Sequence, residues 1–308
     1  MPIKKRHLFL MTTATTLYGC NAVLLHPKGQ IAIDERNLIF LATGLMLIVV
    51  LPVIVMMFWF AYRFRASNKT APYAPRWASS HRIEAVVWGV PLLIILILGA
   101  VTWRTTHSLD PYKPIESQTA PLNVQVVATD WKWLFIYPDL GIATVNELAL
   151  PVNTPVSFTI TSDAAMTSFF IPALGGQIYA MAGMQTRLHL IANETGQFLG
   201  IAANYNGPGF SDMHFTTYST LPSEFQAWIA KVKSADRPLD HTQYSLLARP
   251  SIAHPVTYYS SVDAKLFQSI VDKYEGMNPA RGRQGEAAEM RAIRINDRSH
   301  QDMMSKEQ

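Results

Sequence analysis

The run LIFLATGLMLIVVLPVIVMMFWFA, Leu38–Ala61, holds no charged residue, and about 24 such residues suffice to cross a hydrocarbon core about 30 Å thick as a helix. A buried helix of a soluble domain would show a polar stripe over that length, and this run shows none. A second run, AVVWGVPLLIILILGAVTW (Ala85–Trp103), is built the same way. Two membrane-spanning helices are therefore expected, over residues 38–61 and 85–104. Pro52 and Pro91 are compatible with them, because neighbouring groups in a membrane helix take up the carbonyls that a proline frees.

The segment joining the two runs, residues 62–84, carries Arg63, Arg65, Lys69, Arg76 and Arg82 and no acid before Glu84. The outer flanks are sparser, with Lys28 and Arg36 on one side and Arg104 and Lys113 on the other. An excess of Lys and Arg marks the cytoplasmic side. Residues 20–37 and everything after about Thr105 then face outward, in a bacterial inner membrane the periplasm. The net charge of +4 follows from this topology and implies no nucleic-acid partner.

The N-terminus, MPIKKRHLFLMTTATTLYGC, has a basic start, a short apolar stretch and Gly19 before Cys20. That is the build of a secretory signal over residues 1–19. Cys20 is the only cysteine, which excludes disulfides, thiolate metal clusters and a cysteine nucleophile elsewhere in the chain. LYGC resembles a bacterial lipobox, which implies cleavage before Cys20 and its acylation. Such an anchor would position the N-terminus of a chain that two helices already hold.

From Leu122 the pattern changes to short alternating runs, NVQVVATDWKWLFIYP, ATVNELALP, PVSFTITS, MTSFFIPAL, TRLHLIANETGQF and MHFTTYST, separated by Pro, Gly and Asn. They predict an antiparallel sandwich or barrel over residues 120–220. In the extension 221–276, PSEFQAWIAKVKSA sets Phe225, Trp228, Ile229 and Val232 on one helical face, and SVDAKLFQSIVDKYEG does so with Leu266, Ile270 and Val271 before Gly276. The tail 277–308 has no period and reads as disordered.

The ordered set of LYGC, two spans, DWKW (130–133), TSFFIPALG (167–175), AMAGM (180–184) and GIAANYNGPGFSDM (200–213) resembles subunit II of the haem-copper terminal oxidases. Within that superfamily it looks most like the copper-less branch, subunit II of cytochrome bo-type ubiquinol oxidase, over residues 20–274. The resemblance implies a membrane protein with a two-helix hairpin, an all-β cupredoxin-like sandwich and short C-terminal helices. It also implies a subunit of a proton-pumping quinol oxidase, whose haems and active-site copper belong to subunit I, with no cofactor on this chain. Subunit I, other oxidase subunits, membrane lipid and, through the complex, quinol are the partners implied.

Cytochrome c-oxidizing relatives hold a dinuclear copper centre in this sandwich through two histidines, two cysteines, a methionine and a carbonyl, because bridging thiolates let the two coppers share an electron. The resemblance puts Thr167 at the first histidine, Ala202, Asn204 and Asn206 at the Cys-x-Glu-x-Cys positions and Phe210 at the second histidine. Only Met213 is retained. Of the other groups, His189 and His214 lie in strands, Met181 and Met184 read as core filler, and Asp163 in TSDAAMTS has no histidine beside it for hydrolysis. Trp131 matches a tryptophan through which copper-bearing relatives receive their electron; with no copper to serve, Trp131 and Trp133 are expected to pack at the foot of the sandwich.

Glu84 suits the positive end of a helix dipole. By the same resemblance it stands where a glutamate of subunit II lies at the cytoplasmic mouth of a proton pathway. Two alternatives remain open from sequence: a menaquinol oxidase subunit II, and a stand-alone membrane-anchored binding module.

Overall fold

The computed structural model describes residues 22–72 and 79–274. The signal segment, Cys20, Arg76, Gly276 and the tail lie outside the described residues. Helix α1, Gln30–Arg63, and helix α2, His81–Ser108, run through Pro52 and Pro91 and extend past both apolar runs. The two helices touch each other, yet most of their large side chains point outward, with Phe58 67 % and Trp88 77 % exposed. Such a surface is stable only against lipid or another apolar protein face.

The outer domain is built on strands β1 (Leu122–Thr129), β2 (Lys132–Tyr137), β3 (Ile142–Val145), β4 (Glu147–Pro151), β5 (Val156–Ser162), β6 (Thr167–Phe170), β7 (Gln177–Ala180), β8 (Thr186–Leu190), β9 (Gly196–Ala202) and β10 (His214–Thr220). Short strands β11 (Pro238–Leu239), β12 (Thr257–Tyr259) and β13 (Ser261–Val262) follow in the extension. One sheet has the order β12-β3-β2-β1-β5-β8, a second β4-β10-β9-β6-β7, and β11 pairs with β13 in a small sheet of their own.

The expected antiparallel arrangement is corrected in two places. β1 lies parallel to β5, with Val126 opposite Ile160, and β4 parallel to β10, with Ala149 opposite Tyr218. The cause is local. ATVNELALP is one run in sequence but two strands in space, because Asn146 takes φ +57 and passes the chain from the first sheet to the second. Asparagine tolerates this left-handed conformation better than other residues with a side chain. Having changed sheets, the chain does not fold back on β3 as a hairpin; β4 pairs with the later strand β10, and β5 returns to the first sheet beside β1. Two other long runs also split, at Asp130–Trp131 and around Asn193–Thr195.

Between the sheets lies an aromatic core. Phe169 stacks on Phe215 at 5.3 Å, and Trp133 meets Phe169 edge-on at 5.3 Å. β2 is buried along its whole length, not in alternation. Its other face is covered by the extension: Leu134, Ile136 and Val145 pack with Tyr244, Leu247, Phe267 and Ile270. The domain is thus three layers deep on that side.

The extension carries helices α3 (Pro222–Lys233), α4 (His241–Leu247) and α5 (Leu266–Asp272). Pro222 opens α3 and the Glu224 carboxylate accepts the N–H of Leu221 at 3.1 Å, a start signal legible in PSEF. Phe225, Ile229 and Val232 are buried as their spacing predicts, while Trp228 is half-buried. α4 escaped the sequence reading because HTQYSLL is too short to show a period.

Candidate functional site

The segment from β9 to β10 is folded around Trp131. Trp131 holds φ +62 at the β1–β2 turn, and its Nε1–H donates to the carbonyl of Asn206 at 3.3 Å. A Cβ on Gly209 would lie 2.4 Å from the indole, and Gly207, at φ +122, borders the same ring. The loop therefore needs glycine to close over the tryptophan. A Cβ on Gly200 would fall 2.0 Å from the ring of Phe215, so the strand below it is also shaped by glycine.

This corrects the expected place of the two tryptophans. Trp133 is fully buried between the sheets, and Trp131 lies under the loop at the far end of β1 from the two helices. The foot of the sandwich is occupied by other residues, described below.

The six positions compared with copper ligands are brought together by β6, β9 and this loop. Thr167 and Met213 are buried, and Ala202 presents only a methyl while its N–H donates to the Met213 carbonyl at 3.1 Å. Asn204 accepts from Ser168 Oγ at 2.5 Å and donates to the Met166 carbonyl at 3.3 Å. The amide of Asn206 donates to Met213 Sδ at 3.0 Å, and Phe210 packs on Tyr205 with ring centroids 5.8 Å apart. The Thr167 hydroxyl and the Asn206 side-chain oxygen are buried without a hydrogen-bond partner among the described residues.

The donor set is a hydroxyl, two carboxamides and a thioether. It supplies neither the bridging thiolates nor the imidazoles that a dinuclear copper centre needs, so these residues do not fit that metal. Asn204 ties the loop to Ser168 of β6 and to Met166 just before it, and Asn206 braces the loop from within through Met213. Among the described residues no group of three or more His, Cys, Asp and Glu could hold a metal. His214, the first residue of β10, is exposed, while Met213, which ends the turn just before the strand, is buried. Met181 and Met184 belong to a turn whose Gly183, at φ +70, packs against Tyr274.

Asp163 is no hydrolytic acid. Its carboxylate accepts from Tyr244 Oη, Tyr274 Oη and Lys273 Nζ, each at 2.8 Å, and this fastens the extension to the end of β5. Two further buried charges do similar work and were missed in the sequence. Lys132 Nζ donates to the carbonyls of Asp130 and Arg249 and to Ser251 Oγ, at 3.2, 2.9 and 2.8 Å. Glu147 accepts from Trp228 Nε1 and Tyr258 Oη, both at 2.8 Å. A charge inside an otherwise apolar strand, as in DWKW and NELALP, was the available signal. Burial lowers the pKa of Lys132, against a smaller raising effect of Asp130, and burial with Asp163 beside it raises that of Tyr244.

Glu84 stands apart from this cluster, in the first turn of α2 at the opposite end of the helix hairpin from the sandwich. Its side chain is half-exposed and Oε2 lies 3.4 Å from Nδ1 of His81, which is almost fully exposed. The pair is an imidazole and a carboxylate within proton-exchange reach of each other and of water.

Residues 137–220 match the family described as "Cytochrome C oxidase subunit II, periplasmic domain", and residues 233–278 match "COX Aromatic Rich Motif". The sequence is similar to the cytochrome bo(3) ubiquinol oxidase subunit 2 of Pseudomonas putida, 57 % identical over 88 % of this chain and 86 % of the relative. It is similar to the ubiquinol oxidase subunit 2 of Acetobacter aceti, 54 % identical over 86 % of each. The quinol oxidase subunit 2 of Bacillus subtilis is more distant, 35 % identical over 82 % of this chain and 80 % of that one.

Proposed function

We propose, proceeding from the fact that this chain belongs to the cytochrome bo(3) ubiquinol oxidase subunit 2 family, that it is a non-redox subunit of a complex coupling quinol oxidation to reduction of oxygen. The observation that carries this reading is the loop at Ala202–Met213, which together with Thr167 offers a hydroxyl, two carboxamides and one thioether, and neither the thiolates nor the imidazoles of a dinuclear copper centre. An outer domain that receives no electron from a soluble carrier needs no copper relay, and electrons drawn from membrane quinol bypass it. The greater identity to ubiquinol than to other quinol oxidase subunits favours ubiquinol as the donor.

On this reading the helices α1 and α2 dock on subunit I in the bacterial inner membrane, which carries the haems and the active-site copper. The outward-facing apolar side chains of both helices support it, since a protein face covers them as well as lipid does. Cys20, acylated after removal of the signal, adds a lipid anchor on the periplasmic side.

Glu84, with His81 beside it, collects protons at the cytoplasmic mouth of the pathway into subunit I. A carboxylate in the headgroup layer exchanges with water and passes protons inward without crossing the hydrocarbon unaided. Replacing Glu84 with Gln in the assembled oxidase is expected to lower oxygen-linked quinol turnover by about a hundredfold, the lower end of what removal of an acid–base group costs. Haem content must be unchanged in the same preparation; normal turnover with normal haem content would sink the assignment. Metal analysis of the isolated chain tests the larger reading: stoichiometric copper on it would overturn the proposal.

A further inference from the structure

At the foot of the sandwich a cleft of about 250 Å³ opens between the outward ends of both helices, the linker after α2 and β8. Ile31 and Asp34 come from the start of α1, Leu109 from the end of α2, Lys113 and Glu116 from the linker, and His189 from β8. The walls are held in place. His189 Nδ1 lies 3.0 Å from the carbonyl of Pro111 and its Nε2 3.3 Å from Ser157 Oγ, which pins the linker to the sheet. Gly176 N–H donates to Glu35 Oε1 at 3.1 Å, and Ala32 N–H to the Leu174 carbonyl at 3.2 Å, which pin α1.

Asp34, Lys113 and Glu116 are exposed and form no ion pair among the described residues. Asp110 also lines the cleft, but it accepts the N–H of Tyr112 at 2.9 Å. The terminal carbonyls of α2 add partial negative charge at the same place. The cleft therefore offers one cation, an excess of negative charge and an apolar side formed by Ile31 and Leu109. With the apolar runs 38–61 and 85–103 as the spans, Ile31, Asp34 and Leu109 lie about 6–10 Å beyond the hydrocarbon at a helical rise of about 1.5 Å per residue, a depth that phospholipid headgroups occupy.

We propose that this cleft holds the headgroup of a phospholipid that carries a primary ammonium beside its phosphodiester, of the phosphatidylethanolamine type. Asp34 and Glu116 receive the ammonium, Lys113 takes the phosphate, and Ile31 with Leu109 covers the glycerol end. An anionic headgroup without the ammonium, such as phosphatidylglycerol, would set its phosphate among unpaired carboxylates with a single lysine to offset them.

The test is native mass spectrometry of the detergent-purified complex that contains this chain, stripped of lipid and then incubated with phosphatidylethanolamine or phosphatidylglycerol. Wild type is expected to retain phosphatidylethanolamine about tenfold more strongly, the worth of one charge-assisted contact. Asp34→Asn with Glu116→Gln removes the difference, and Lys113→Ala weakens retention of both lipids. Equal retention of the two lipids by wild type overturns the proposal, as does unchanged discrimination in the double variant. A divalent cation in the cleft that a chelator removes, found in place of lipid, overturns it too. Since the readout is lipid retention and not turnover, its failure leaves the oxidase reading standing, and loss of the oxidase reading leaves the cleft testable in the chain alone.

Discussion

At the scale of single residues, the loop over Trp131 shows how close packing against large rings sets the shape of a segment. Two glycines lie against large rings with no room for a methyl group, Gly200 against Phe215 and Gly209 against Trp131. A methyl group forced into a packed core costs about 1–3 kcal/mol. Gly200→Ala should therefore destabilise the outer domain by about 2 kcal/mol, because Phe215 is locked by stacking on Phe169 and cannot move aside. Thermal unfolding followed by tryptophan fluorescence measures it, and an unchanged midpoint would refute the packing argument. That Thr167, Ala202, Asn204, Asn206 and Phe210 carry neither thiolate nor imidazole is read directly from the sequence. Their bonding partners are not. The bonds of Asn204 to Ser168 and of Asn206 to Met213 join side chains 36 and 7 positions apart, and only the fold brings such pairs together.

At the scale of elements, the alternating strands and the two long helices could be read from periodicity, and the parallel pairings could not. Nothing in ATVNELALP announces that Asn146 changes sheets, because asparagine also ends ordinary strands. The same holds for the extension, whose α4 has too few residues for a pattern. Besides the apolar layer on β2 and β3, its attachment uses Lys132, Glu147 and Asp163, each on the sandwich and each holding groups from residues 228–274. Asp163→Asn replaces a charged acceptor of three donors by a neutral one. The expected loss is about 2 kcal/mol, charge-assisted hydrogen bonds being worth about 1.5–3 kcal/mol each to stability. The loss should appear first as faster hydrogen exchange in α4 and α5, with the β1–β5 pairing still protected; uniform loss of protection would show that the extension has no separate attachment.

Alkaline pH probes the same contact. Tyr244, Tyr258, Tyr259 and Tyr274 all have their pKa raised, mainly by burial. A folded-state pKa above the unfolded value of about 10 means a stabilising contribution complete below about pH 10 and lost as pH climbs toward the folded values. Lys132, with a lowered pKa, acts in the opposite sense, but four tyrosines outweigh one lysine. Denaturant midpoints should accordingly fall above pH 10, and Tyr244→Phe should soften that fall; a flat profile from pH 9 to 11 would contradict the assignment.

For the whole molecule, the question is what fixes the outer domain relative to the membrane. The linker after α2 alone would leave the sandwich free to swing. A second attachment lies at the start of α1, where Lys28 N–H donates to the Ala173 carbonyl at 2.7 Å, Asn193 N–H to the Lys28 carbonyl at 2.8 Å, and Ala32 N–H to Leu174. The Ala32 bond satisfies one of the amides that a helix leaves unpaired at its N-terminus, so the sandwich caps the helix that anchors it. Gly29 is the point of closest approach: a Cβ there would lie 2.7 and 2.8 Å from the carbonyl oxygens of Ile191 and Leu174. Backbone oxygens cannot step aside as a flexible side chain can, so Gly29→Val should break this attachment and leave the sandwich tethered only through residues 109–121. Limited proteolysis in native membranes should then cut that linker several times faster, while the tryptophan emission of the sandwich stays as in wild type, because an accessible and mobile segment is what proteases select. If the oxidase needs its outer domain held in one orientation over its partner subunits, haem recovered with this chain should fall in the same variant. Unchanged linker cleavage would show that α2 and the linker alone set the orientation.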